Sequence, residues 1–215
     1  MAVMHKWSEQ QSDKVEVLWS PYQELSIKNV EPALKIAERG RKNIFWAGRF
    51  DRQKRFDLVV KLANSNPQWD FWIWGAAMLG DDDITQNLPE NIHLNGLFKS
   101  YSEIPFNQCD VWLYTSQWDG VPTILIELGL REVSLVASKI WGTADLISEE
   151  TAWPVSNVSN VNEYQVQLEL ALANPEESRL KRERMKSLIL ERHSRDNYDK
   201  SLKKSLELSE RSKHV

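Results

Sequence analysis

The sequence predicts an α/β protein: a doubly wound, mostly parallel Rossmann-like sheet with extra C-terminal helices. Three observations predict it. Apolar runs of strand length alternate with helical patterns, those runs lack polar alternation, and from Asn162 onward the pattern is wholly helical. A run such as Phe71-Trp72-Ile73-Trp74 has no polar face, so its strand must be covered on both sides. Helices packed on both faces of a parallel sheet supply that cover.

In chain order, strands are expected at residues 15–19, 43–48, 69–75, 92–96, 111–116, 133–138 and 152–155. Helical patterns lie between them at 56–63, 101–108 and 122–132, the first with Phe56, Val59, Val60 and Ala63 on one face. A further helix at 163–173 stops at Asn174-Pro175, and two heavily charged helices follow at 176–192 and 197–211. The last carries Tyr198, Leu202, Leu206 and Leu208 as a thin apolar stripe, which needs a docking surface shared with something else.

Composition narrows the function. With 215 residues, 41% of them hydrophobic, the chain can bury one large core. Its 27 basic residues are outnumbered by 31 acidic ones, giving a net charge of −4. That argues against nucleic acid as the main ligand, since phosphate-backbone binders concentrate positive charge. It leaves room for a local basic pocket around one small phosphate group. No apolar run approaches the roughly 20 residues needed to span a bilayer, and the polar segment 1–14 has no signal-peptide core. Cys109 is the single cysteine, so neither a disulfide framework nor a thiolate metal cluster is expected, and the setting expected is cytoplasmic and reducing. The tryptophans Trp46, Trp72, Trp74 and Trp112 sit in strand runs and read as core rather than as platforms for sugars.

In open α/β sheets, ligands bind outside the carboxyl ends of the strands. The loops after Gly48, Gly75, Gly96, Ser116 and Ser138 are therefore the places to search. The first runs Gly48-Arg49 to Lys54 and opens a helix near Phe56. A helix start presents free N–H groups and a positive dipole end to an anion. A guanidinium adds a planar fork for phosphate oxygens and a lysine adds a point charge. The same residues also suit a solvated basic loop, and both readings stand at this point.

The loop after Ser116 is richer. It reads Gln117-Trp118-Asp119-Gly120-Val121-Pro122-Thr123-Ile124 and leads into Leu125-Ile126-Glu127-Leu128. Pro122 suits the first helical position, where its missing N–H costs nothing. The free amides of Thr123 and Ile124 then point out of the helix start, and Gly120 lets backbone approach a ligand closely. Glu127 is a lone carboxylate in an otherwise apolar helix, so it must be paired or must accept hydrogen bonds. It serves either a neighbouring Arg or Lys, or the two hydroxyls of a ribose. By contrast, Asp81-Asp82-Asp83 reads as a solvated acidic turn and His93 as a structural histidine within a strand.

Taken in order, these pieces resemble the C-terminal domain of family 4 retaining glycosyltransferases, the group 1 type, which form the C-terminal half of a GT-B fold. That family carries a strand ending in Gly-Arg, a Lys five positions later, then an acidic residue, Gly, x, Pro and a Glu eight positions after the acidic one. Gly48-Arg49 and Lys54 match the first part; Asp119-Gly120-Val121-Pro122 and Glu127 match the second. Asn91 to Gly96, Gln108 to Leu113, and Trp141-Gly142-Thr143-Ala144-Asp145 also fall where the family has related segments.

The resemblance implies a donor nucleotide-diphosphate sugar, UDP- or GDP-linked, with no bound metal and no other cofactor. Arg49 and Lys54 would hold its diphosphate, helped by the amides of Thr123 and Ile124, with Gly120 and Val121 in the backbone segment against the donor. Glu127 would take the ribose, Phe98 would lie against the base, and Asp119 would meet hydroxyls of the transferred sugar. Residues 15–194 would then form the nucleotide-sugar domain, and 195–215 a helix crossing to an N-terminal domain. That Rossmann-like acceptor domain is absent from this sequence. It would receive a carbohydrate, lipid or protein acceptor, and any peripheral membrane association would lie with it. The chain alone would bind donor without transferring it. Two alternatives remain: a non-catalytic subunit of a split transferase, and another GT-B enzyme such as a nucleotide-sugar epimerase.

Two further departures from the family pattern stand out. Asp119 replaces the commoner Glu and reaches about 1.5 Å less far. Glu132-Val133-Ser134 stands where the family has Gly-x-Pro, a cosmetic change on a helix-to-strand turn.

Overall fold

The computed structural model, which describes residues 18–22, 36, 40–77 and 85–211, places six strands in one sheet. They are β1 (Lys42–Ala47), β2 (Trp69–Trp74), β3 (Ile92–Leu94), β4 (Val111–Tyr114), β5 (Leu135–Ser138) and β6 (Trp153–Val155). Their order is β3-β2-β1-β4-β5-β6, and every pairing is parallel. The helices are α1 (Phe56–Ser65), α2 (Thr123–Leu130), α3 (Val161–Ala173), α4 (Pro175–Arg192) and α5 (Arg195–Arg211).

The period of two along each strand builds two cores. On one face Ile44, Trp46, Phe71, Ile73, Val111 and Leu113 pack with Phe56, Val59 and Leu62 of α1 and Tyr164 and Leu168 of α3. On the other, Phe45, Trp74, Trp112, Tyr114 and Leu135 pack with Leu125 and Leu128 of α2 and Met185 and Ile189 of α4. This is why the strand runs lack polar residues. Each such side chain contributes about 1.5–3 kcal/mol by leaving water. Helix α2 meets α4 most closely at Gly129, where a Cβ would lie 2.3 Å from Ile189 Cδ1. A larger residue there would have to displace the Ile189 and Met185 side chains.

Several boundaries differ from expectation. The helix expected at 101–108 is two separate 3₁₀ turns, Tyr101–Glu103 and Phe106–Gln108. Pro105 explains the break, because the residue before a proline is driven to extended backbone, and Ile104 is at φ −89°, ψ 124°. Strand β3 stops at Leu94, two residues early. Pro122 is the N-cap of α2 rather than its first helical residue, at φ −73°, ψ 139°. Of the strand expected at 15–19, only Leu18 and Trp19 are described, and neither is in a strand; Leu208's side chain and the acidic turn 81–83 lie outside the described residues.

The turn after α2 is more than cosmetic. Glu132 has φ 54°, and Val133 N donates to Leu128 O (3.0 Å) while Glu132 N donates to Gly129 O (3.1 Å). These are the bonds of a Schellman cap, whose left-handed position normally falls to glycine. A side chain there costs about 1 kcal/mol, and Glu132 offsets part of it by pairing with Lys186 at 2.7 Å.

Candidate functional site

The strand order reverses direction between β1 and β4, so the loops leaving these two strands border the crevice where α/β sheets take ligands. They are the loops that carry Arg49, Lys54 and Asp119. The topology thus selects two of the five candidate loops.

Asp51 organises the first loop. One carboxylate oxygen accepts from the Lys54 amide at 2.8 Å, and the other faces Arg49 Nε at 3.1 Å. Arg49 also donates to Gln53 Oε1 at 2.9 Å, and its side chain is 56% exposed. Arg55 then takes the left-handed conformation (φ 56°) to start α1, held by two bonds to Asp57 at 2.8 and 3.0 Å. The backbone of Lys54 is pinned from below. The Trp46 indole donates to the Thr115 hydroxyl (2.9 Å), which donates to Lys54 O (2.6 Å).

The second loop is tied to the first. Gln117 N donates to Gln53 O (2.8 Å), and Gln53 Nε2 donates to Trp118 O (3.0 Å). Lys54 Nζ lies 2.5 Å from Asp119 Oδ2, which also accepts from the Tyr114 hydroxyl at 2.7 Å. Asp119 Oδ1 accepts from the Gly120 amide at 3.1 Å. Burial works against ionisation of Asp119. The bonds from Lys54 and Tyr114 and the lysine's charge outweigh it, so the carboxyl is held below its usual range. Gly142 seats the loop against the 3₁₀ turn at 141–145: a Cβ there would lie 2.8 Å from the Gly120 carbonyl carbon.

Helix α2 brings its start to the same end of the sheet. Its first internal bond runs from Leu125 N to Pro122 O at 3.0 Å, so the Thr123 and Ile124 amides lie ahead of it. Glu127 is 7% exposed, with Arg131 Nε at 3.7 Å one turn on. The ion-pair alternative raised for Glu127 is therefore present in the structure. Arg131 in turn stacks over Phe106, 4.9 Å from its centroid. Phe98 packs on Tyr101 (5.3 Å between centroids), and both are partly buried on the α2 core with Val121 and Ile124. Burial pushes the Tyr101 phenol up, Glu127's charge adds to this, and a bond with Thr123 works the other way.

Tyr114, Gln53, Asp51 and Tyr101 were not evident as site residues from sequence. A hydroxyl closing the apolar run Val111-Trp112-Leu113-Tyr114 was the available signal for the first; nothing marked the others. His93 is placed as a structural residue, 2.9 Å from Asp70 and stacked on Trp72. No described helix is long and apolar enough to cross a membrane.

The family described as glycosyl transferases group 1 matches residues 31–191. The chain belongs to that family. One relative by sequence is an uncharacterized 41.2 kDa protein in the cps region of Klebsiella pneumoniae, 28% identical over 126 residues, which cover 56% of this chain and 34% of that one. Anabaena HepE, crystallised with UDP, has a similar fold with a TM-score of 0.68 at 15% identity, over 78% of this chain and 49% of its own. The C-terminal domain of LpcC, a group 1 glycosyl transferase from Francisella tularensis, aligns with a TM-score of 0.59 at 15% identity, covering 83% of this chain and 97% of that domain. The fold is thus that of a GT-B C-terminal domain, and the chain spans about a third of the curated relative it matches.

Proposed function

We propose that this chain binds a nucleotide-diphosphate sugar and forms the donor half of a retaining glycosyltransferase. The observation that carries the proposal is the convergence of Arg49, Lys54, Asp119 and the start of α2 at the β1/β4 switch point. In this reading Arg49 and Lys54 exchange their carboxylate partners for diphosphate oxygens. The Thr123 and Ile124 amides add donors at a helix start. Together they stabilise the leaving diphosphate as the sugar departs. Glu127, one to two turns into α2, accepts from the ribose hydroxyls, with Gly120 and Val121 along the donor and Phe98 toward the base. Asp119 meets hydroxyls of the transferred sugar.

UDP, the nucleotide with which HepE was crystallised, is the first candidate and GDP the second. We assign the acceptor to a second domain outside the region matched at 31–191, because transfer needs an acceptor hydroxyl held beside the anomeric carbon. A thermal-shift panel of UDP, GDP, ADP and TDP with their sugars tests this reading. One diphosphate at about 100 times its dissociation constant should stabilise the chain by roughly 2.7 kcal/mol. That corresponds to a rise of about 5–10 °C for a chain of this size. No response to any of the eight would refute the donor site.

A further inference from the structure

We propose that Tyr114 is a positioning residue for Asp119, fixing its carboxylate for the donor sugar once a diphosphate has drawn Lys54 away. The inference rests on the donor-site reading above and adds to it a residue outside the matching motif. Asp119 Oδ2 has two donors, Lys54 Nζ at 2.5 Å and the Tyr114 hydroxyl at 2.7 Å. They differ in what they do when an anion arrives. Lys54 is a charge on a flexible four-carbon stem in a loop, and it follows the stronger anion. A diphosphate is a stronger anion than a carboxylate.

Tyr114 cannot follow. It closes β4, is 4% exposed, and packs in the α2 core beside Trp112 and Phe45. Burial pushes its ionisation up, a bond with Ser116 works the other way, and the bond to Asp119 and its charge add to the rise, so the phenol stays a donor across the working pH range. The rest of β4 is apolar, and a phenylalanine would fill the same space without a polar atom to satisfy. The hydroxyl therefore serves the polar groups at this end of β4, Asp119 at 2.7 Å and Ser116 beside it. That matters more for an aspartate than a glutamate, because a side chain about 1.5 Å shorter has less freedom to find a sugar hydroxyl. With Tyr114 retained, Oδ2 keeps a donor as Lys54 leaves. Oδ1, tied to Gly120, keeps its direction toward the crevice loop.

The test is calorimetric binding of UDP, GDP, UDP-glucose, UDP-N-acetylglucosamine and GDP-mannose to the wild-type chain, Tyr114→Phe, Asp119→Asn and the double variant. The wild type should bind one sugar nucleotide more tightly than its bare diphosphate. Tyr114→Phe should cut that preference about tenfold, the lower end of the worth of one hydrogen bond to a charged group, with less than a twofold change for the bare diphosphate. In the Asp119→Asn background, Tyr114→Phe should remove nothing more. The acid limit of sugar-nucleotide binding should also move upward in Tyr114→Phe, since Asp119 loses a donor that keeps it ionised. Equal losses for sugar nucleotide and diphosphate, no loss at all, or an undiminished effect in the Asp119→Asn background would overturn the proposal. A wild type that binds none of the five probes would overturn the donor-site reading itself, and with it this one.

Discussion

At the amino ends of the strands, Asp70 of β2 is 2% exposed and holds His93 at 2.9 Å and Arg41 at 3.4 Å. Beside it the Asn91 amide donates to three carbonyls, of Ala63, Asn66 and Trp69, at 2.9–3.0 Å. At the carboxyl ends, Arg49 and Lys54 are paired with Asp51 and Asp119 across short loops, and the Arg49 side chain is 56% exposed. Both ends use carboxylates and cations. They differ in slack. At the amino end Asn91 and Arg41 bond backbone carbonyls, among them Trp69 O of β2, that are fixed by the fold, whereas the carboxyl-end cations sit on long stems whose partners a ligand can replace. On the donor-site proposal, residue type alone does not separate structure from site; the end of the sheet does.

The sharpest way to break this comparison is to cut each end in turn. Asn91→Ala removes a buried amide shared among three carbonyls, each of which keeps another donor, and should cost about 1–3 kcal/mol, read as a fall of roughly 2–10 °C in Tm. Its affinity for the stabilising diphosphate, measured well below Tm, should be unchanged. Weaker binding without loss of stability would erase the distinction. The carboxyl end should behave oppositely. Arg49→Ala and Lys54→Ala should each weaken nucleoside-diphosphate binding by about 1.5–3 kcal/mol, more than tenfold, with little change for the plain nucleoside. The Tm of Arg49→Ala should stay within a few degrees, since a pair with an exposed guanidinium contributes about 1 kcal/mol or less. Lys54→Ala should lower Tm somewhat more, because it leaves the partly buried Asp119 carboxylate with one donor fewer. Equal affinity losses for nucleoside and diphosphate would show that these cations do not touch phosphate.

A smaller effect sharpens the comparison at a third place. His193, between α4 and α5, is fully buried, with its ring 2.8 Å from Ser20 O and its own carbonyl accepting from Tyr22 N at 2.9 Å. Burial holds its protonation below the ordinary range; the Ser20 carbonyl works against this and Arg192's charge adds to it. The unfolded chain therefore takes up the proton first, near pH 6.5. Stability linked to neutral His193 is complete above that pH and declines as pH falls below it. The Tm of the wild type should drop more than that of His193→Gln between pH 7.5 and 5. Parallel declines would contradict the account.

Much of this fold was legible. Runs such as Ile44-Phe45-Trp46 and Phe71-Trp72-Ile73-Trp74 lack a polar face because each strand feeds two cores, and that property survives any uncertainty about boundaries. Where expectation failed, one local geometry decided: Ile104 driven to extended backbone by Pro105, or Glu132 left-handed where a cap calls for glycine. At the candidate site, Arg49, Lys54 and Asp119 stand in a spaced motif that the sequence displays, and the structure places them on the two loops at the β1/β4 switch point. Gln53 carried no signal and Tyr114 only the hydroxyl that closes an apolar run, because their importance comes from what faces them across 65 and 5 residues. Asp51 organises its loop through a single backbone amide and one guanidinium, a job that many loop aspartates do without any ligand nearby.

The central claim, that the β1/β4 crevice and not the opposite end of the sheet receives the donor, is tested most directly by amide NMR. The ¹⁵N-labelled chain is titrated with the diphosphate that stabilises it most. The account predicts that the largest shifts fall on Gly48 to Lys54, on Gly120 and on the Thr123 and Ile124 amides, while Arg41, Asp70, Asn91 and His93 stay in place. Shifts centred on the amino ends of the strands, or spread evenly over the chain, would contradict it.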